Sequence, residues 1–111
     1  MNDKLLSFLG LCRRAGKMTI GCDAVKGSII KGETKIVIFA NDVSKKTEKE
    51  VMYVIAEYNT KVLKLDRTKD EVADAIGKYA AVISINDSGF AKKIKQLEEK
   101  SVLNKEECNL W

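Results

Sequence analysis

A five-residue run of apolar side chains, Ile-Val-Ile-Phe-Ala at residues 36–40, constrains the fold more than any other part of the chain. A strand with one face in water alternates apolar and polar residues, whereas this run is continuous and begins with three β-branched residues. The run therefore predicts an interior strand, with Ile38 buried, that other elements cover on both faces. Such a strand is typical of an α/β protein.

Strand-like and helix-like segments alternate on both sides of this run. Short strands are predicted at residues 18–20, 62–65 and 81–85. Helices are predicted where apolar residues recur at helical spacing after a capping residue, and their predicted starts are Asp3, Cys22 or Asp23, Ser44, Thr68 and Ser88. Predicted glycine stops are Gly16, Gly32 and Gly77. The alternation predicts a three-layer α/β/α sandwich with helices on both faces of one sheet.

The apolar positions of these helices predict which side chains pack on the sheet. The third helix has its predicted buried stripe at Val51, Val54, Ile55 and Tyr58. The last helix, from about residue 88 to residue 100, is predicted to bury Phe90, Ile94 and Leu97 on one sheet face. With 111 residues in all, we expect a single domain at residues 1–100 and a C-terminal tail at residues 101–111.

Composition excludes several functional classes. The chain has no histidine, so the usual general base and the commonest metal ligand are absent. Cys12, Cys22 and Cys108 are odd in number and lack both zinc spacing and a disulfide pattern. No phosphate-binding P-loop or dinucleotide-binding glycine motif is present. We expect neither metal nor cofactor, no enzymatic activity, no membrane span or signal peptide, and a cytoplasmic location.

Positive charge is concentrated near the start of the chain. Residues 1–35 contain seven basic and three acidic side chains, while the rest contains thirteen of each, so the net charge of +4 arises in the first third. A localised positive field is typical of a polyanion-binding site. A solvated helix face explains the same charges and stays open as the alternative.

Two loops have the residue types that bind nucleic acid. Gly21 precedes the second predicted helix beside Lys17 and Lys26, and a glycine turn at a helix N-terminus lets backbone N–H groups approach a phosphate. An ordinary turn is the alternative for Gly21. The second loop, Asn-Asp-Ser-Gly at residues 86–89, follows the last strand, where Ser88 is predicted to cap the next helix and Gly89 permits close backbone approach.

The segments LGLCRRAGKMTIG, KGSIIKG, KIVIFAND and ISINDSGFAKKI are together similar to the bacterial branch of the kink-turn-binding ribosomal protein family. The resemblance covers residues 3 to about 98. It implies a three-layer sandwich around a four-stranded mixed sheet, and binding of RNA kink-turns or related ribosomal RNA elements. It also implies that RNA lies on the turn and N-terminal part of helix two, with help from the loop before the last helix.

The resemblance also shows where this chain departs from the family pattern. Strong RNA binders of the family follow the helix-two glycine with Asn, Glu and, further on, Lys. Here Gly21 is kept, but Asp23, Ala24 and Gly27 occupy those three positions. Asp23 accepts hydrogen bonds from base amino groups but lacks the amide donor of Asn. The departures predict that RNA is either held differently or bound more weakly.

The sequence therefore predicts an RNA-binding protein for structured or ribosomal RNA, with the ribosome as a candidate partner. A protein-interaction adaptor on the same fold, with weak or no RNA binding, is the alternative. Salt-dependent RNA retention separates the two, because phosphate contacts weaken with salt. The predicted RNA face has one wall around the first helix and helix two and a second wall in the loop at residues 86–89. Its residues are Arg13, Arg14, Lys17, Gly21, Asp23, Lys26, Lys31, Asn86, Asp87, Ser88 and Gly89.

Overall fold

A computed structural model describes residues 4–106, with side chains described for residues 4–98. Five helices and four strands alternate along the chain. The helices are α1 (Lys4–Arg14), α2 (Cys22–Ile30), α3 (Lys45–Tyr58), α4 (Lys69–Ile76) and α5 (Ser88–Glu106), and the strands are β1 (Met18–Ile20), β2 (Ile36–Phe39), β3 (Val62–Lys64) and β4 (Val82–Ile85). Among the described residues no helix is both long and apolar enough to cross a bilayer.

The four strands form one mixed sheet in the order β1-β4-β2-β3. β4 pairs antiparallel with both β1 and β2, and β2 pairs parallel with β3. Central strands β2 and β4 are buried at every position. The predicted interior strand is thereby confirmed, and Ile38 is 1% exposed.

Alternation along β2 and β4 divides the core into two halves. Ile36, Ile38, Ile83 and Ile85 pack with α1, α4 and α5 on one face. Val37, Phe39 and Val82 pack with α2 and α3 on the other face. Two helical layers on one sheet are the predicted three-layer α/β/α sandwich, which is confirmed.

The helix ends follow most of the predicted capping signals. The Ser44 side chain accepts a hydrogen bond from the Thr47 N–H, and Thr68 with Glu71 forms a reciprocal capping box. Gly77 ends α4 in the left-handed conformation, with φ 77°. Because each cap satisfies N–H or C=O groups that a helix end leaves unpaired, these residues fix where α3 and α4 begin and end.

Three predictions about the helices differ from the structure. Asp87, not Ser88, caps α5, since its Oδ2 accepts from the Phe90 N–H at 2.9 Å and Ser88 is the first helical residue. Tyr58 does not join the buried stripe of α3, because it lies at the last helical position and is 46% exposed. Helix α5 also continues past residue 100 to Glu106.

The predicted packing of α5 is confirmed on the face that it shares with α1. Ile94 is fully buried, and Phe90 and Leu97 pack against the same cluster. The rings of Phe8 and Phe90 meet edge to face, with centroids 5.5 Å apart. The predicted cap Asp3, the thiol Cys108 and the end of the predicted tail lie outside the described residues.

Candidate nucleic-acid interface

The sheet topology places the Gly21 turn and the loop at residues 86–89 far apart, although the sequence predicted that they form the two walls of one RNA face. Strands β1, β2 and β3 run in one direction and β4 runs in the other. The turn at Gly21 therefore lies where β1, β2 and β3 finish and β4 begins, which we call the Gly21 end. The loop at residues 86–89 lies where β4 finishes, at the opposite end, which we call the Asn86 end.

Gly21 forms an uncapped helix N-terminus. Its φ of 102° lies in a region that side-chain-bearing residues rarely adopt. The Gly21 N–H donates to the Val82 carbonyl at 3.0 Å, and the Gly21 carbonyl accepts from the Val25 N–H at 2.9 Å. Within the described part of the chain, no side chain accepts a hydrogen bond at this N-terminus. The first-turn N–H groups of α2 consequently have no side-chain acceptor.

The starts of α3, α4 and α5 differ from that of α2 in this respect. Side chains of Ser44, Thr68 and Asp87 cap α3, α4 and α5. An uncapped helix start combines unpaired N–H donors with the positive end of the helix dipole. Chemically, the start of α2 suits an anionic or carbonyl oxygen from a ligand.

Charged side chains beside this turn partly compensate one another. The Lys26 Nζ lies 3.6 Å from Asp23 Oδ1 and 4.0 Å from Glu50 Oε2. The Cys22 thiol donates to the same Glu50 carboxylate at 3.7 Å. The side chain of Asp23 is fully exposed. The positive charge that Lys26 offers a ligand is therefore partly neutralised, while the Asp23 carboxylate, although paired with Lys26, is accessible to a ligand.

Two further loops lie at the Gly21 end, and neither was predicted from the sequence to belong to the site. The Asn41 N–H donates to the Arg67 carbonyl at 2.8 Å, which joins the β2–α3 loop to the β3–α4 loop. Asp42 Oδ1 accepts from the Lys69 N–H at 2.9 Å. Only the parallel pairing of β2 and β3 brings these loops together, and no local motif signals that pairing.

At the Asn86 end, Asn86 has structural partners within the protein. Its amide nitrogen donates to Thr19 Oγ1 at 2.7 Å. Its amide oxygen accepts from Ser28 Oγ at 3.2 Å and from Ser84 Oγ at 3.4 Å. Thr34 extends this network by donating to Ser28 at 2.6 Å. The Asn86 side chain, which was predicted to belong to the RNA face, thus fastens α2 to β1 and β4.

The remaining residues of the predicted second wall occupy the same end. Asp87 caps α5, and the adjoining Ser88 and Gly89 are exposed. The Lys17 carbonyl accepts from the Asn86 N–H at 2.8 Å, so Lys17 lies beside this loop and not beside Gly21. Lys31, at the C-terminal end of α2, is exposed at the Asn86 end too.

The two arginines lie in the other helical layer. Arg13 donates from its guanidinium to the Ile76 carbonyl and so pairs with the C-terminal end of α4. Arg14 lines a surface hollow between α1 and α4 together with Glu71 and Asp74. The structure therefore distributes the predicted RNA face over three places, and it leaves Gly21, Asp23 and Lys26 together.

Ala24 and Gly27, two of the positions that depart from the family pattern, are sterically open. Ala24 is exposed, and a Cβ at Gly27 would meet no atom within 4 Å. Gly27 lies inside α2 without positive φ, so its glycine is required neither by the helix geometry nor by packing. Larger side chains at both positions would project from the surface of α2 beside Asp23.

The buried thiol of Cys12 should make the stability of the fold depend on pH. Burial, and secondly the charge of Asp87, raise the pKa of Cys12 from 9.0 to about 11. Between those two pH values the unfolded chain loses the thiol proton while the folded chain keeps it. The free energy of unfolding should therefore fall as pH rises through this window, by about 1 kcal/mol near pH 10. Urea unfolding at about pH 8 and about pH 10 should show this extra loss in the wild type and not in Cys12→Ala; equal losses would contradict it.

The fold is similar to that of solved proteins. A protein of unknown function from Bacillus halodurans superposes with a TM-score of 0.80 at 30% identity, covering 86% of this chain and 97% of that one. The 15.5kD RNA binding protein of Giardia lamblia superposes with a TM-score of 0.68 at 15% identity, covering 90% of this chain and 89% of that one. The second likeness is one of fold.

Sequence relatives lead to the family. The chain is 38% identical over 96 residues to a protein of Enterococcus faecium named RNA-binding protein YlxQ, covering 86% of this chain and 92% of the relative. It is 33% identical over 91 residues to the Bacillus subtilis protein of the same name, covering 81% and 90%. The model of one family matches residues 3–95. This chain therefore belongs to the ribosomal protein L7Ae/L30e/S12e/Gadd45 family.

Proposed function

We propose that this protein binds structured RNA at the Gly21 end of its sheet and acts without catalysing a reaction. The observation that carries the proposal is the uncapped start of α2 at Gly21, where no side chain of residues 4–98 accepts from the backbone N–H groups. The names of the two bacterial relatives support RNA as the ligand. A cytoplasmic location and association with ribosomal RNA belong to the same proposal.

RNA supplies hydrogen-bond acceptors for the N–H groups at the start of α2. Phosphate and base oxygens are acceptors for the first-turn N–H groups of α2, and the helix dipole favours a negative charge there. The exposed Asp23 carboxylate accepts hydrogen bonds from guanine or cytosine amino groups. Because the β2–α3 and β3–α4 loops lie at the same end, the contact surface extends beyond the turn itself.

A kink-turn is the proposed kind of RNA, and binding weaker than that of the strongest family members is expected. The family pattern places an amide donor at position 23 and a long cation at position 27, where this chain has Asp23 and Gly27. Asp23 also adds a negative charge beside the RNA backbone. Lys26 compensates that charge only in part, since it pairs with Asp23 and Glu50.

Titration of a kink-turn RNA and of a straight duplex at two salt concentrations tests the proposal. The kink-turn RNA should bind more tightly, and both affinities should fall with salt. Lys26→Ala should weaken binding of both RNAs and reduce the salt slope by at most about 1. Asp23→Ala should reduce the discrimination between them by about 1–3 kcal/mol.

Lys93→Ala is the matched control for Lys26→Ala. Lys93 is exposed on α5 and lines a hollow between α1 and α5, away from the Gly21 end. Its removal changes net charge equally and should leave the affinities within about twofold. Absence of binding by the wild type to either RNA at low salt would refute the proposal.

A further inference from the structure

A second surface with nucleic-acid chemistry lies at the Asn86 end. It is a groove of about 760 Å³ between the end of α3, the start of β2 and the first turns of α5. The side chains that matter for its chemistry are Lys35, Tyr58, Lys61, Lys92 and Lys95, all of which line it. We call it the lysine groove.

The charged side chains that line the lysine groove are all positive. Four of its lining residues are lysines, at positions 35, 61, 92 and 95, and among the described residues no carboxylate lines it. All four are exposed. At the Gly21 end, by contrast, Lys26 is accompanied by Asp23 and Glu50. A concave surface lined by a single sign of charge focuses the field and attracts a polyanion.

Tyr58 gives the lysine groove an aromatic side chain in addition to its charges. Periodicity along α3 predicted this ring in the core, but it is 46% exposed and lines the groove. Single-stranded nucleic acids are bound by this combination, in which lysines follow the backbone and an aromatic ring stacks on an unpaired base. A duplex keeps its bases stacked and offers none to such a ring.

We infer that the lysine groove binds a single-stranded RNA segment, with Lys35, Lys61, Lys92 and Lys95 on its phosphates and Tyr58 against a base. The inference rests on the proposed RNA-binding function and adds a second contact surface to it. The Gly21 end and the groove lie at opposite ends of the sheet. One protein molecule can therefore hold a folded RNA element and an adjoining single strand.

The test uses two RNA probes and two double variants. One probe is a labelled oligouridine of about twelve nucleotides, and the other is a blunt-ended kink-turn RNA. Lys92→Ala/Lys95→Ala removes two charges from the groove side of α5. Lys4→Ala/Lys93→Ala removes two charges from the hollow between α1 and α5 and is the matched control. All four side chains are exposed, so both variants should fold, which thermal unfolding checks.

The groove variant should weaken oligouridine binding at least threefold and reduce its salt slope by about 1.4, which corresponds to two lost contacts with a single strand. The control variant should change neither quantity. Tyr58→Ala should weaken the same binding by about 5- to 150-fold, whereas Tyr58→Phe, which keeps the ring, should retain it. Kink-turn binding should be the same in all four variants.

The outcomes separate this inference from the proposed function. Kink-turn binding together with no oligouridine binding by the wild type, or with equal losses in the two double variants, would overturn the lysine groove and leave the proposed function standing. Binding of neither RNA would overturn both. Oligouridine binding that is sensitive to the groove variants and to Tyr58→Ala would establish the groove.

Discussion

Asn86→Ala is expected to lower the free energy of unfolding by about 2–3 kcal/mol. The substitution removes the donor to Thr19 and the acceptor for both Ser28 and Ser84. Ser84 is fully buried and Ser28 is 5% exposed, so their hydroxyl groups would lose partners inside the protein. An unpaired buried polar group costs about 1–3 kcal/mol, which makes this the largest expected stability effect of any predicted site residue.

Ser88→Ala is the matched control, since Ser88 is two residues away, exposed and not the cap of α5. It should change the free energy of unfolding by less than about 0.5 kcal/mol. Urea unfolding of the three proteins decides the matter. A loss below about 0.5 kcal/mol for Asn86→Ala would mean that the network does not fasten α2 to the sheet, and would return Asn86 to a role in ligand contact.

Restoring the family pattern should produce the largest change in binding. Asp23→Asn/Ala24→Glu/Gly27→Lys is expected to tighten kink-turn binding at least about tenfold, because one good base contact is worth about 1–3 kcal/mol. Asn supplies the missing donor, and Glu in the first helical turn is favoured by the helix dipole. Lys at position 27 meets open space and removes a helix-interior glycine, which should stabilise α2 by about 0.5–1 kcal/mol.

A straight duplex and the single variant Gly27→Lys are the controls for that experiment. The duplex should gain only the added phosphate attraction, and Gly27→Lys alone should tighten both RNAs by similar factors. Of these two variants, only the triple variant should therefore discriminate between the two RNAs more strongly than the wild type does. Equal tightening of both RNAs by the triple variant would mean that this chain shares the fold of kink-turn binders without their mode of recognition.

Periodicity was sufficient to predict the fold because its signals are local. The continuous run at β2 predicted a covered strand, and the capping pair Thr68 and Glu71 predicted the start of α4. Ends of elements were less predictable where two polar residues competed. Asp87 and Ser88 are adjacent and both could cap α5. Asp87 is the cap because it lies three residues before Phe90 and its side chain accepts from the Phe90 N–H.

The site was predicted only in part because strand direction is not a local property. Gly21 and Asn86 belong to loops beside adjacent strands, yet the antiparallel pairing of β1 with β4 places them at opposite ends of the sheet. Tyr58 has the helical spacing of a core residue, but the end of α3 leaves it exposed. The four lysines of the groove come from three separate segments, so charge counting along the chain does not detect them.

Binding of RNA at the uncapped start of α2 can be observed by NMR, through amide exchange in the free and the kink-turn-bound protein. Amides of Cys22, Asp23 and Ala24 should become protected on binding, because RNA oxygens accept from them. The first-turn amides of α3, capped by Ser44, should change little. Protection confined to other surfaces, with the first turn of α2 unchanged in the complex, would show that RNA does not bind at the start of α2.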